Sequence, residues 1–191
     1  MNILILNASP VKNGRISSVL KEMYEVFLSK GHKVERLDLT DMNIKDCTGC
    51  FACQKTASCV IRNDDICIIE DLMQKSDLYV IASPTHWGNM SAVLLRVFER
   101  LFGFLIQEQK VGAPKPMKAK GKRAILVTSC STPSPVDFVF NQSRGCFSRI
   151  KEICLYSGIK VEKTFKLSGT ITMGDVPEKK LSEARRLASK I

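Results

Sequence analysis

Half of the chain's eight cysteines, Cys47, Cys50, Cys53 and Cys59, stand within the stretch DCTGCFACQKTASC. Thiols this dense serve a cross-link, a zinc ion or an iron–sulfur cluster, and spacing separates the three. A structural zinc site takes two C-x₂-C pairs held a dozen or more residues apart, so that two knuckles close a tetrahedron. Here the order is C-x₂-C-x₂-C-x₅-C. Three cysteines at successive steps of three suit a looping backbone that offers thiolates to three corners of a cubane. The residues Gln54–Ser58 before Cys59 are long enough for it to fold back to the fourth corner. Spacing favours a 4Fe–4S cluster and leaves zinc, or no metal at all, open.

The cross-link is disfavoured by compartment. The start, MNILILNASP, has no basic n-region, and its apolar run stops at Leu6. No apolar run approaches the roughly 20 residues of a membrane span. A cytoplasmic location is expected, where clustered cysteines mean metal or redox chemistry. Cys67, Cys146 and Cys154 are scattered and read as small buried hydrophobes. Cys130 lies in a loop after a strand, where a reactive thiol and simple packing are both possible.

The chain has 191 residues, enough for one domain with a real core, and a net charge of +10 from 29 basic and 19 acidic residues. Much of the excess lies in KVGAPKPMKAKGKR, with Lys110, Lys115, Lys118, Lys120, Lys122 and Arg123. Nucleic acid is not expected as a partner, because no aromatics are interleaved for stacking on bases. A solvated loop accounts for the stretch; attraction of anionic redox partners or of a phosphorylated cofactor stays open.

Alternating elements must position these residues. Strands are expected at Ile3–Leu6, Lys33–Leu39, Asp77–Ser83, Arg123–Ser129 and Ile159–Leu167. The first, third and fourth are near-continuous apolar runs, as in central parallel strands, and the other two alternate like edges. Helices are expected at Ile16–Lys30, Asp64–Lys75, Asn89–Phe104, Val136–Ser157 and Glu178–Ser189. Asp64 and Asp65 are explained by a helix start, and His32 by the turn at Gly31. The alternation implies a single three-layer α/β domain over residues 1–191, with the cysteine-rich insertion at about 43–63.

Ligands in such sheets sit at the carboxyl ends of the strands. After the first strand, NASPVKNGRISS runs straight into a helix and offers hydroxyls, backbone N–H groups and a positive dipole end to a phosphate. It is neither of the glycine-rich nucleotide fingerprints, and an ordinary capped helix start also explains it. SPTHWGNMSAVLL, after the third strand, holds the only Trp inside a tight turn, suited to border a flat conjugated ring. TSCSTPSP follows the fourth strand.

Together SPVKNG, SPTHWGNMSA and the cysteines between them resemble the flavodoxin-like NADPH-dependent FMN reductase family, and within it the iron–sulfur flavoprotein branch. The resemblance implies a five-stranded parallel sheet of order 2-1-3-4-5 with helices on both faces. It implies FMN, its phosphate surrounded by Ser9, Lys12, Asn13, Gly14, Arg15, Ile16 and Ser17. The ring would meet Pro84, Thr85, His86, Trp87, Gly88 and Asn89, joined by Thr128, Ser129 and Cys130. Cys47, Cys50, Cys53 and Cys59 would hold the 4Fe–4S cluster. Val11, Arg15 and Ile16 replace residues usual in the family's first loop, His86 stands where a Tyr is usual, and Cys130 where Gly is frequent.

The resulting expectation is a flavin-dependent oxidoreductase in which FMN carries the chemistry and no side chain is the catalyst. Electrons would come from NAD(P)H or a ferredoxin-like donor and pass to a small-molecule or protein acceptor. No membrane partner is expected, and the resemblance implies a homodimer or homotetramer. A cluster-free NAD(P)H-dependent FMN or quinone reductase is the alternative; a zinc-holding basic binding module is a third.

Overall fold

The computed structural model describes residues 1–191. Strand β1 (Asn2–Asn7) leads into helix α1 (Arg15–Ser29), which returns to β2 (Lys33–Asp38). A single turn of 3₁₀ helix at Leu39–Asp41 opens the cysteine-rich excursion, whose only regular piece is the short α2 (Cys53–Thr56). Then come α3 (Ile66–Lys75), β3 (Leu78–Pro84), α4 (Ala92–Arg100), α5 (Phe102–Leu105) and a small hairpin, β4 (Ile106–Gln107) with β5 (Lys115–Pro116). The chain ends with β6 (Arg123–Ser129), α6 (Ser134–Val139), α7 (Gln142–Tyr156), β7 (Lys160–Leu167) and α8 (Glu178–Ala188).

The five long strands form one parallel sheet in the order β2-β1-β3-β6-β7. Numbered among themselves, that is the expected 2-1-3-4-5. The continuous apolar runs are the central strands β1, β3 and β6, and the alternating ones are the edges. A central strand buries both faces, so its side chains run apolar on both, with buried polar residues confined to the carboxyl ends at Asn7, Ser83 and Thr128. One core packs Ile3, Ile5, Val80 and Val127 against α1 and α8. The other packs Leu4, Leu6, Tyr79 and Leu126 against α3, α4 and α7. No helix is long and apolar enough to cross a membrane.

Three expectations need correction. The helix foreseen from Asn89 starts at Ala92, because residues 86–89 close a tight turn, and it breaks after Arg100 into α5. The helix foreseen over Val136–Ser157 is two, split where Asn141 takes a left-handed φ of 55°; asparagine tolerates that conformation better than most residues. Cys67 is not a buried hydrophobe: it is half-buried, and its thiol donates to the Asp64 carbonyl oxygen at 3.1 Å in the first turn of α3.

Candidate functional site

Parallel register brings the carboxyl ends of β1, β3 and β6 side by side, and hydrogen bonds stitch the three following loops into one rim. Ala8 N–H donates to Ala82 O at 2.8 Å, and Ser91 Oγ donates to Ala8 O at 3.1 Å. Thr85 N–H donates to Ser129 O at 2.8 Å, while the hydroxyls of Thr85 and Thr128 meet at 3.0 Å.

The first loop is braced from below by residues that motif reading overlooked. Asn7 is buried at the end of β1; its amide donates to Asp38 Oδ1 at 2.6 Å and its Oδ1 accepts the Ser9 N–H at 3.2 Å. Burial opposes ionisation of Asp38, but the hydrogen bonds from Arg36 and Asn7 prevail and hold its carboxyl below the usual range. A polar residue closing a buried strand was the available signal for Asn7. Above this brace, α1 starts at Gly14 with no side-chain cap and no acidic residue in its first turn. Ser9, Ile16 and Ser17 are buried there. Arg15 donates to the Met173 carbonyl of the segment after β7, and its Nε is buried without a partner. Lys12 is instead committed to Asp41 at 2.7 Å on the surface, and that hydrogen bond raises its pKa. Asn13 is exposed beside it.

At the second loop, His86 and Asn89 exchange backbone hydrogen bonds at 2.9 Å, with Trp87 and Gly88 between them at φ of 52° and 71°. Two successive positive φ values define a type I′ turn; Gly88 adopts one freely and Trp87 is strained. The Trp87 side chain projects fully into solvent. Helix α7 presses on this turn: a Cβ on Gly145 would lie 2.3 Å from the Gly88 carbonyl oxygen, so only glycine fits. Pro84 ends β3 opposite Ser129. Thr128 is buried and donates to Ser83 O at 2.8 Å. Cys130 is buried as well, its thiol 3.4 Å from Gln142 Oε1 and its N–H on Leu167 O at 2.8 Å.

The third loop is pinned by Asp137, fully buried on α6. It accepts the Ser143 N–H at 2.8 Å, the Ser143 hydroxyl at 2.7 Å, and Lys166 Nζ and the Ser168 hydroxyl at 3.0 Å each. Burial would raise its pKa; the donors outweigh that and bring it from 3.8 to about 2. A depressed folded pKa stabilises above the unfolded value and loses that stability as pH falls through the folded one. Asp137→Asn is therefore expected to cost about 2 kcal/mol above pH 4. The deficit relative to wild type shrinks as pH falls toward 2, measured by urea unfolding across that range. A deficit constant with pH would mean that the carboxylate is not the stabilising form.

The cysteine excursion is anchored by a charged pair that the sequence presented only as a helix start. Arg100 lies on the inner face of α4, and its Nη1 donates to Asp64 Oδ2 at 2.5 Å with both side chains fully buried. The same guanidinium donates to Lys45 O at 2.7 Å, Ile61 O at 2.6 Å and Cys59 Sγ at 3.2 Å. Burial disfavours the charge on each partner, yet the pairing wins: the Asp64 carboxyl is depressed and the Arg100 guanidinium raised. The signal was legible in principle, since an Arg within the buried stripe of Leu94, Val97 and Leu101 needs a partner. Cys47, Gly49, Phe51, Cys53, Glu99 and Phe102 line a cleft of about 330 Å³. Gly49 N–H donates to Cys47 Sγ at 3.4 Å. Cys50 is exposed, and hydrogen bonds from the Ala52 N–H and from Thr48 lower its pKa.

The Flavodoxin_2 family model, described as a flavodoxin-like fold, matches residues 1–191. This chain belongs to that flavodoxin-like family. An iron–sulfur flavoprotein of Clostridioides difficile is 36% identical over 100 residues, which are 51% of this chain and 44% of that protein. An iron–sulfur flavoprotein of Archaeoglobus fulgidus is 26% identical over 184 residues, covering 96% of this chain and 75% of the relative. The chain spans about half the length of the first curated relatives it matches. Among solved structures, an NAD(P)H:quinone oxidoreductase from Methanothermobacter marburgensis superposes with a TM-score of 0.82 at 19% identity, over 99% of this chain and 98% of that one.

This flavodoxin-like rim suits a phosphate-bearing, ring-bearing ligand: the uncapped start of α1 and the unpartnered Arg15 Nε call for an anion. The cysteine loop suits a cluster by donor type, with N–H groups of Gly49 and Arg100 directed at two sulfurs. The sulfurs are not gathered, however: no three His, Cys, Asp or Glu side chains meet at metal-holding distance. Cys47 and Cys50 face solvent while Cys59 turns inward.

Proposed function

We propose that the chain is an FMN-containing oxidoreductase that couples the flavin to a 4Fe–4S cluster. The observation that carries the flavin is the convergence of three loops on an anion-ready helix start. Ser9, Gly14, Arg15, Ile16 and Ser17 hold the phosphate, where backbone N–H groups and the helix dipole favour negative charge. Lys12 and Asn13 reach it only by leaving their surface positions. Pro84, Thr85, His86, Gly88 and Asn89 set the edge of the ring, Trp87 flanks it, and Ser129 closes the far side. Thr128 and Cys130 act from beneath, by fixing the loops.

Bound FMN exchanges two electrons as hydride or one at a time. The chain's own residues bind, orient and shield it, and none is asked to be an acid or base. Cys47, Cys50, Cys53 and Cys59 hold the cluster once the loop draws its exposed sulfurs together; names of relatives and the donor spacing support this. NAD(P)H or a ferredoxin-like protein donates, a small molecule or protein accepts, and the protein works as a cytoplasmic homo-oligomer.

The ungathered sulfurs favour a second reading, an NAD(P)H-dependent FMN or quinone reductase without a cluster. One measurement separates the two. Anaerobically purified protein is expected to carry flavin, iron and sulfide, with a broad brown absorbance beneath the flavin bands. Flavin without iron, alongside steady NAD(P)H oxidation, selects the second reading; a colourless protein that refuses added FMN ends both.

A further inference from the structure

Between β7 and α8 the chain leaves the sheet and doubles back along the third loop. Gly169 N–H donates to Thr132 O at 2.8 Å, Thr170 N–H to Cys130 O at 3.0 Å and Ile171 N–H to Ser131 O at 3.3 Å. The Thr170 hydroxyl adds a second bond to Cys130 O at 3.1 Å. Beyond this zipper the chain reaches the first loop, where Val176 enters the same core as Ile16. Between the two anchors, residues 173–175 hang from a single hydrogen bond, the one that Arg15 Nη2 donates to Met173 O. At the crown Ile171 is 74% exposed, Thr172 is exposed beside it, and Gly174 has open space around it. A stretch with so little packing opens at low free-energy cost.

Arg15 has donors to spare. A guanidinium carries five N–H groups in a rigid planar fork, so it can hold two acceptors at once. Its Nη2 is committed to Met173 O, while its Nε is buried and unpartnered. The residue opens α1, whose start has no side-chain cap and is the place assigned above to the flavin phosphate. A buried donor left without an acceptor is costly, and an anion at the helix start supplies one without breaking the bond to Met173. Lys12, the other cation of this loop, is held by Asp41 on the surface.

We propose that Arg15 latches residues 168–176 as a strap over the phosphate end of the flavin, and that bound phosphate keeps the strap shut. The inference rests on the flavin reading above and needs no cluster. Arg15 acts here as a positioning residue: phosphate on one edge of its guanidinium fixes the plane in which the other edge holds Met173. Occupancy shifts the strap because the phosphate bonds the latched form better than the open one. Riboflavin, which lacks the phosphate, leaves the strap loose. The consequence is an FMN that is retained and a riboflavin that exchanges freely.

The test follows cleavage of the full chain by subtilisin, with mass spectrometry locating the cuts. Flavin binding is titrated first by fluorescence quenching, so failure of the flavin reading is seen on its own. Inorganic phosphate, against chloride at matched ionic strength, then still tests the latch. In wild type, FMN is expected to slow cleavage within residues 169–175 about tenfold or more. Inorganic phosphate slows it in part, and riboflavin at saturation leaves it unchanged. Arg15→Lys keeps the charge and loses the fork; with FMN at saturation its strap is cut as fast as in the flavin-free protein. The ratio of riboflavin to FMN dissociation rates, large in wild type, falls toward one in Arg15→Lys and Arg15→Gln. The ligand series on wild type decides the phosphate dependence even where a variant fails to fold. Equal protection by riboflavin and FMN overturns the proposal. So does FMN protection that survives Arg15→Lys, or cleavage that neither FMN nor phosphate changes.

Discussion

Arg100→Leu is expected to lower unfolding stability by about 3–5 kcal/mol, because it leaves the Asp64 carboxylate buried without its partner. The carbonyls of Lys45 and Ile61 lose their donor in the same change. Domains of this kind carry about 5–15 kcal/mol in total, so the variant sits near its limit and its urea midpoint drops accordingly. The cost falls hardest on the excursion between β2 and α3, whose two ends Arg100 ties together. That segment is expected to be cut by protease well before the sheet unfolds. Replacing both partners, Arg100→Leu with Asp64→Leu, recovers part of the loss, since apolar side chains carry no desolvation cost. A single-variant loss under about 1 kcal/mol would mean that the pair is solvated, as exposed ion pairs are.

The second large effect concerns composition more than stability. Cys53→Ala is expected to reduce bound iron and sulfide to background while FMN remains at its wild-type ratio per chain. The separation follows from placement. Cys53 opens α2, which packs on α5, whereas the phosphate loop and ring turns hang from β1, β3 and β6. Removing one sulfur leaves the Cys53 carbonyl against Gly103 and the Gln54 bonds to the hairpin untouched. Iron, sulfide and flavin assays with a far-ultraviolet dichroism spectrum decide it. Iron retained at the wild-type ratio would remove Cys53 from the ligand set. Loss of flavin together with helical signal would show one cooperative site in place of two.

Periodicity was enough for the wound sheet. Continuous apolar runs at β1, β3 and β6 suit strands covered on both faces, and alternation at β2 and β7 suits edges, so layering and central or edge placement were written locally, while the strand order came from the resemblance. The loops of the rim were legible for the same reason: in a parallel sheet every strand's carboxyl end lies on one rim, wherever it falls in the chain. Element ends were less so. Asn141 breaks a helical pattern by a backbone conformation, and the His86–Asn89 turn delays α4, neither of which apolar spacing registers.

What only the tertiary structure decided was partnership. Asp64 read as a helix start and Arg100 as one more basic residue, until packing put them 36 residues apart in sequence and 2.5 Å apart in space. Lys12 reads as a phosphate ligand in the motif and is held by Asp41 in the fold. The lysines of the Gly/Pro-rich connection read as solvated charge and turn out to flank the cysteines, through Gln54. Hydrophobic pattern is a property of neighbours along the chain and survives in the sequence. Ion pairs and buried hydrogen bonds join residues whose separation is arbitrary, so they exist only once the sheet has brought them together.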